Sequence, residues 1–353
     1  MGLANRTLAS REDTSSPDPM ELPALPPARP TSPIWEDDAT AWNRVRAIAL
    51  HRLDQMMGFE PKVLRGDKPQ AIHDFRVASR RFEQALDLLC PPEPPHELLR
   101  LRRRIARSRK AVSAVRNYDV FIHLADKTLA RKRPQRRETW EGVRDRLVKR
   151  RAKAHARAAA EIGKWNLSQV YLRLRAAIGP DVAPDGNARG ASDDSFSLGQ
   201  GSFRQKLAQE TGRVWNIFES ANHQASGAAD PATIHSLRLA AKRLRYLVEI
   251  IHEFETSLSG LSGKPLQVLR SLQDRLGEWH DLEVEERILV KMAGRPGFIR
   301  NHLPLANGIL RLITQNRKSI CRLLVGPSLV LDSATNEQLK TCLSSVSGLA
   351  DPS

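Results

Sequence analysis

The sequence predicts an all-α protein, and three observations carry that prediction. Apolar residues recur at three- and four-residue steps along most of the chain, as in Trp42, Val45, Ala49, Leu53 and Met56. No stretch alternates apolar and polar residues as a half-buried strand must. One short helical motif also returns later in the chain with its spacing intact, the mark of a duplicated helical unit.

Residues 1–36 carry seven prolines with serine and charge and little periodicity, so they read as a disordered tail. Helix begins near Ala39, and a loop is expected over Gly58–Pro69. A strongly helical run spans about Gln70 to Leu89, stopped by Cys90-Pro91-Pro92-Glu93-Pro94-Pro95, because proline lacks the N–H and clashes with the preceding turn. His96–Val115 is helical again, followed by a helix from Asp119 to about Ala130 that Pro134 ends. Glu138–Gly163 and Leu167–Ile178 complete a first helical half, residues 38–178.

Residues 179–201, rich in Gly, Asp and Ser, read as a flexible linker. A second helical half follows over 202–328. Its periodic runs are Ser202–Ser220, Pro231–Phe254, Pro265–Glu278, Asp281–Ala293 and Pro304–Leu324. The C-terminal segment, 329–353, holds one short helix near Asn336–Val346.

With 353 residues, 41% of them hydrophobic, the chain can bury a sizeable core. Cys90, Cys321 and Cys342 stand far apart with no metal-ligand spacing, so neither a disulfide framework nor a zinc module is expected, and reduced thiols fit a cytoplasmic location. No apolar run is long enough for a membrane span, and the N-terminus lacks the apolar core of a signal peptide. The formal net charge is +16. Residues 95–157 hold 21 Lys and Arg against 6 Asp and Glu, so nearly all the surplus sits in about one sixth of the chain. Such concentration points to an anionic partner.

Residues 72–82, IHDFRVASRRF, match residues 234–244, IHSLRLAAKRL, at an offset of 162. The same offset carries Asp119 in VRNYDV onto Asp281 in GEWHDL, so His and Asp stand 46 residues apart both times. This reads as an internal duplication: two helical bundles related by a pseudo-twofold axis, each roughly four helices.

At about 100° per residue, the first motif helix buries Phe75, Ala78, Phe82, Ala85, Leu86 and Leu89 and turns His73, Arg76 and Arg80 to the other side, with Arg81 at the flank. The second does the same with His235, Arg238, Lys242 and Arg245, and Arg243 at the flank. Like charges stacked at one-turn spacing cost stability unless something neutralises them, and the planar guanidinium fork suits phosphate. A further basic helix, LLRLRRRIARSRKAVSAV, presents Arg103, Arg104, Arg107 and Lys110 with no acid between Arg100 and Arg116; Arg102 and Arg109 lie at the edge of its apolar stripe. Asp119 and Asp281 are read first as N-caps of the helices that follow them, and second as acceptors that fix a His or Arg of the motif helix.

These residues resemble the CHAD family, the conserved-histidine α-helical domain. The likeness rests on IHDFRVASRRF with VRNYDV, and on IHSLRLAAKRLRYLVEIIHEF with LQVLRSLQDRLGEWHDLEV, and covers roughly residues 38–328. It implies two helical bundles about a pseudo-twofold and binding of inorganic polyphosphate, some relatives residing on polyphosphate granules. Carried over, that role falls on His73, Arg76, Arg80, Arg81, His235, Arg238, Lys242, Arg243 and Arg245. The basic face of 103–116 (Arg103, Arg104, Arg107, Lys110, Arg116) is added from the charge reading. Glu83 stands where the other half has Arg245, and Asn117 stands where the family often has Asp, so unequal use of the halves is expected.

The expected function is therefore a polyphosphate-binding scaffold or targeting protein without enzymatic activity, cofactor or metal. Nucleic acid is the alternative partner, though aromatics make up only 5% of the chain and base stacking is poorly provided for. A nucleophile–base pair, a Gly-rich phosphate loop and paired carboxylates are all missing from the sequence, which argues against catalysis.

Overall fold

The computed structural model describes residues 37–66, 68–131, 136–179, 198–227, 230–255, 263–325 and 329–347. The N-terminal tail (1–36) and most of the interhelical linker (180–197) lie outside the described residues. Among those described are twelve α-helices and no strand. In order they are α1 Asp38–Arg65, α2 Pro69–Leu89, α3 His96–Ala111, α4 Ser113–Leu129, α5 Arg137–Gly163, α6 Leu167–Ile178, α7 Phe203–Gly227, α8 Pro231–Glu255, α9 Lys264–Ala293, α10 Pro296–Asn301, α11 Leu303–Val325 and α12 Ser333–Ser347. None is long and apolar enough to cross a membrane.

Local chemistry sets most boundaries. Asp37 caps α1 by accepting from Thr40 N at 2.7 Å, and Asn166 caps α6 by accepting from Gln169 N at 3.2 Å. Pro69 and Pro231 each sit in the first turn, where a missing N–H costs nothing. Asp332 accepts from Thr335 N at 2.8 Å and starts α12 three residues ahead of the expected Asn336.

Three expectations are corrected. The loop expected over Gly58–Pro69 gives way to helix as far as Arg65, because α1 runs on through Pro61 to keep Val63 buried on the same face as Met56. Gly66 then ends the helix at φ 72, and a Cβ there would lie 2.1 Å from the His155 ring, so only glycine fits. The helix expected over His96–Val115 breaks at Val112, and α4 begins at Ser113. Conversely, the break expected before Asp281 is absent: α9 runs through without interruption, burying Leu272, Leu276 and Trp279 in one cluster and Leu289 and Met292 in another. Asp119 and Asp281 thus lie inside helices, and the N-cap reading fails for both.

Two hydrophobic clusters hold the helices, and each draws on both ends of the sequence. The larger joins α1, α2, α3, the end of α5, α6, α7, α8, the start of α9 and α12 around Phe75, Phe82, Phe203, Phe218 and Trp279. The smaller joins α4, the start of α5, the end of α9 and α11 around Phe121, Trp140 and Leu289. Each of α1, α2, α4 and α5 touches the helix about 162 residues further on, namely α7, α8, α9 and α11. The last linker residues are held against α1: Trp42 Nε1 donates to Gly201 O at 2.8 Å, and Gly199, at φ 78, lies where a Cβ would strike the Trp42 ring.

Candidate polyanion-binding cleft

Helices α2 and α8 are strongly amphipathic. Ile72, Phe75, Phe82 and Leu86 on one, with Ile234, Leu237, Leu244 and Leu247 on the other, are buried to 1% exposure or less. Burying those stripes fixes the rotation of both helices, so their basic faces turn to each other. Arg76 and Arg80 from α2 and Arg238 and Lys242 from α8 end up half-buried and mutually repelling.

The electrostatics record the crowding. Burial first, then Arg238, Arg80, Arg76 and Arg245, push the Lys242 ammonium down to about 6. Arg76 falls to about 9 through burial and then Arg80, Arg109, Arg116 and Arg238, and still carries its charge at neutral pH. Arg238 falls to about 10 through burial and Arg80, with Asp281 opposing. Burial likewise lowers Arg80. The His73 imidazole is lowered by burial and by Arg116.

Few acceptors answer these donors. Arg76 Nη1 donates to Arg109 O at 3.2 Å and to the Ser113 hydroxyl, so its side chain docks on the break between α3 and α4. Arg80 hydrogen-bonds the Tyr246 hydroxyl. Arg238 Nε is buried with no protein partner. Among the described residues, no hydrogen bond or ion pair engages Lys242. Arg238 Nε and Lys242 thus remain donors without a partner, in positively charged surroundings whose chemistry suits oxygen acceptors.

Other expected site residues fall in three places. Arg116 joins the cleft, where it acts on His73, Arg76 and Asp281. Arg245 lies at its edge, its guanidinium 5.2 Å above the Tyr246 ring and 3.6 Å from Glu249. His235 is exposed, and its ring lies 5.8 Å from that of His280 at a tilt of 46°. Arg81 is engaged elsewhere: its Nε donates to Glu249 Oε2 at 2.9 Å and Nη2 to Oε1 at 3.2 Å, tying α2 to α8 beside the cleft. Arg103, Arg104 and Arg107 line a separate shallow hollow with His96, Arg100 and Trp165, where Arg107 stacks on the indole at 4.9 Å. Lys110 and Arg243 are exposed.

The two aspartates part company. Asp119 is buried and accepts from Arg151 Nε at 2.6 Å, an arginine of α5 that lies outside the motif helices. Asp281 sits on the cleft rim, where burial raises its carboxyl while Arg238, Arg116 and Lys242 pull the other way. Among the described residues, no hydrogen bond or ion pair ties Asp281 to a His or Arg of the motif helix; it acts on Arg238 through charge alone.

Sequence reasoning missed His280 and Arg109. His280 is pushed down to about 3 by burial, Arg238, His235 and Lys242, so it is a neutral imidazole in the cleft. Its only signal was adjacency to Asp281, since Tyr118 occupies the matching place before Asp119. Arg109 looked like an edge residue, yet it pairs with Glu83 and gives its carbonyl to Arg76. No three of His, Cys, Asp and Glu gather as a metal site among the described residues.

The family model of the CHAD domain matches residues 47–290, more than half of the chain and both motif helices. The chain belongs to the CHAD family. Its fold is similar to the crystal structure of the CHAD domain from the plant Ricinus communis, with a TM-score of 0.56 and 22% identity over 81% of this chain and 92% of that one. No curated protein matches the chain. The CHAD match takes in α2, α8 and most of α9, and so contains the whole cleft.

Proposed function

We propose that this CHAD protein binds inorganic polyphosphate in the cleft between α2 and α8, as a cytoplasmic scaffold or targeting module at polyphosphate granules with no catalytic role. The observation that carries the reading is the group Arg76, Arg80, Arg238 and Lys242, brought face to face with no ion pair to any of them among the described residues. A linear phosphate chain supplies a charge and acceptor oxygens at every unit, and so answers several cations along its length. Family membership and the recurrence of His-x-x-Arg-x-x-x-basic in α2 and α8 support the same ligand. The contact of α1, α2, α4 and α5 with their later counterparts supports a duplicated unit with the cleft between its halves.

The Trp165 face that could have offered base stacking already carries Arg107, which favours polyphosphate over nucleic acid. The test is a titration with polyphosphates of graded length at several salt concentrations. Affinity is expected to rise with length and to fall with salt with a log–log slope of roughly −5 to −6 if about eight phosphates are neutralised. A salt-independent affinity, or an RNA oligomer that displaces long polyphosphate at equal charge, contradicts the proposal.

A further inference from the structure

A cavity of about 440 Å³ lies beside the smaller cluster, between α4, α5, α9 and α11, and its volume suits a small molecule. Glu285 and Asn316 line it and are only 7% and 5% exposed. Asn316 Nδ2 donates to Leu282 O at 2.7 Å, which fixes the amide and leaves Oδ1 buried without a partner. Among the described residues, no hydrogen bond or ion pair engages Glu285, and burial alone acts on its carboxyl. The other polar groups of the lining are occupied. The Thr128 and Ser319 hydroxyls donate to carbonyls of their own helices at 2.8 Å and 3.3 Å, and Gln315 Oε1 accepts from Arg136 Nη1 at 2.9 Å. Two buried acceptors, one of them a carboxyl, thus share a cavity in which no protein donor engages either. Such groups cost stability until a donor reaches them.

We propose that this cavity binds a small primary amine, its ammonium donating to the Glu285 carboxylate and to Asn316 Oδ1 and its alkyl arm lying along Leu124, Leu282 and Leu312. An ammonium carries three donors, enough for both acceptors, and its charge answers a carboxylate held away from water. The three leucines line the same cavity and give an aliphatic arm apolar surface to cover. Arg131 and Arg136 also line it and are exposed, so positive charge stands where the cavity meets solvent. That charge disfavours a second ammonium at the far end of the arm, and a monoamine fits better than a diamine of equal length. The site is built from the smaller cluster and does not rest on the polyphosphate reading.

The test is a calorimetric titration of the full chain with n-pentylamine at pH 8, where the amine is charged and a carboxyl held at about 7 is mostly ionised. One amine per chain is expected to bind, with a Kd of about a millimolar or lower. 1-Pentanol keeps the arm and lacks the charge, and should bind at least tenfold more weakly. 1,5-Diaminopentane should bind at least threefold more weakly. Glu285→Gln keeps the shape of the side chain and removes its charge, and should lose at least tenfold in affinity for n-pentylamine, with circular dichroism confirming that the variant is folded. The ligand series on the wild type needs no variant. Absence of saturable amine binding, or 1-pentanol binding as tightly as the amine, overturns the proposal. Equal amine affinity in the wild type and folded Glu285→Gln overturns it as well, and a diamine that binds as tightly as the monoamine overturns the role of the two arginines.

Discussion

Arg80 and Arg81 are neighbours on α2, yet they meet opposite surroundings. Arg81 reaches Glu249 with two hydrogen bonds and belongs to a girdle in which each arginine finds an acid: Arg52 with Glu253, Arg102 with Asp87, Arg213 with Glu210. Arg80 turns into the cleft, where it bonds a neutral phenol and faces Arg109, Arg76, Arg238 and Lys242. The girdle's charges are answered within the chain and hold helices together. The cleft's charges meet neutral acceptors and, in Asp281, a carboxylate at the rim, but none of Arg76, Arg80, Arg238 and Lys242 has an ion pair among the described residues, so much of their mutual repulsion remains. Residue type alone does not separate an arginine that ties helices together from one left in the cleft; the supply of carboxylates does.

Breaking that contrast at the cleft is expected to have the largest effect. Arg76→Glu with Arg238→Glu places acids where a phosphate chain would lie, and polyphosphate affinity should fall at least a hundredfold, roughly 3 kcal/mol. The thermal midpoint should hold or rise, because repulsion is relieved. Loss of binding together with unfolding would mean that these arginines belong to the girdle.

Lys242→Met sharpens the comparison. Its folded pKa of about 6 lies below the value of about 10.4 expected in the unfolded chain. The unfolded state thus binds the extra proton between those values, and this lysine costs stability as pH falls from about 10 toward 6. Replacing it should raise stability at pH 7 by up to about 4 kcal/mol, a gain that vanishes above about pH 10.5. Polyphosphate affinity should drop about tenfold in the same variant, as for one lost charge-assisted bond. Denaturant melts across pH, paired with binding titrations, check both halves of this trade.

Glu285 shows the same physics with the sign reversed. It is 7% exposed beside Trp140 and Asn316, and burial raises its carboxyl to about 7. A raised acid contributes fully below its unfolded value of about 4.3 and loses that contribution as pH climbs through 7. Glu285→Gln should therefore stabilise the protein by about 1–2 kcal/mol at pH 8 and by almost nothing near pH 4.5. Polyphosphate affinity should not change, since Glu285 belongs to the smaller core.

The smallest effect is expected in the girdle. Arg81→Ala leaves Glu249 with only the distant Arg245, but the Arg81 side chain is 38% exposed, so solvent screening limits the loss to about 1 kcal/mol. Affinity should stay within about threefold. A larger loss of affinity than of stability would move Arg81 into the cleft's class.

Much of this was legible in the sequence, for a physical reason. A 3.6-residue repeat fixes which side of α2 and α8 is buried, so His73, Arg76, Arg80, Arg238 and Lys242 could be assigned to one face before any fold was known. The twofold recurrence of that face pointed to a shared surface. What escaped was everything set by distant partners. Glu249 lies far from Arg81 along the chain, so the pair that removes Arg81 from the anion row leaves no local trace. The helix break at Val112 lies where Arg76 docks on Arg109 O and Ser113, a tertiary contact invisible to periodicity. Pro61 falls inside the stretch expected as a loop, yet α1 runs through it and buries Val63, which outweighs the lost hydrogen bond.

The account rests on a polyanion neutralising cations that the fold leaves unanswered, and proton linkage reads that directly. Polyphosphate bound beside Lys242 must raise its pKa, so the free energy of binding is partly spent on protonating it. Calorimetric titration at pH 7.5, repeated in buffers of different ionisation enthalpy, should show more than half a proton taken up per site by the wild type and far less by Lys242→Met. Binding without proton uptake in the wild type would contradict the account, because the polymer would then lie outside the cleft.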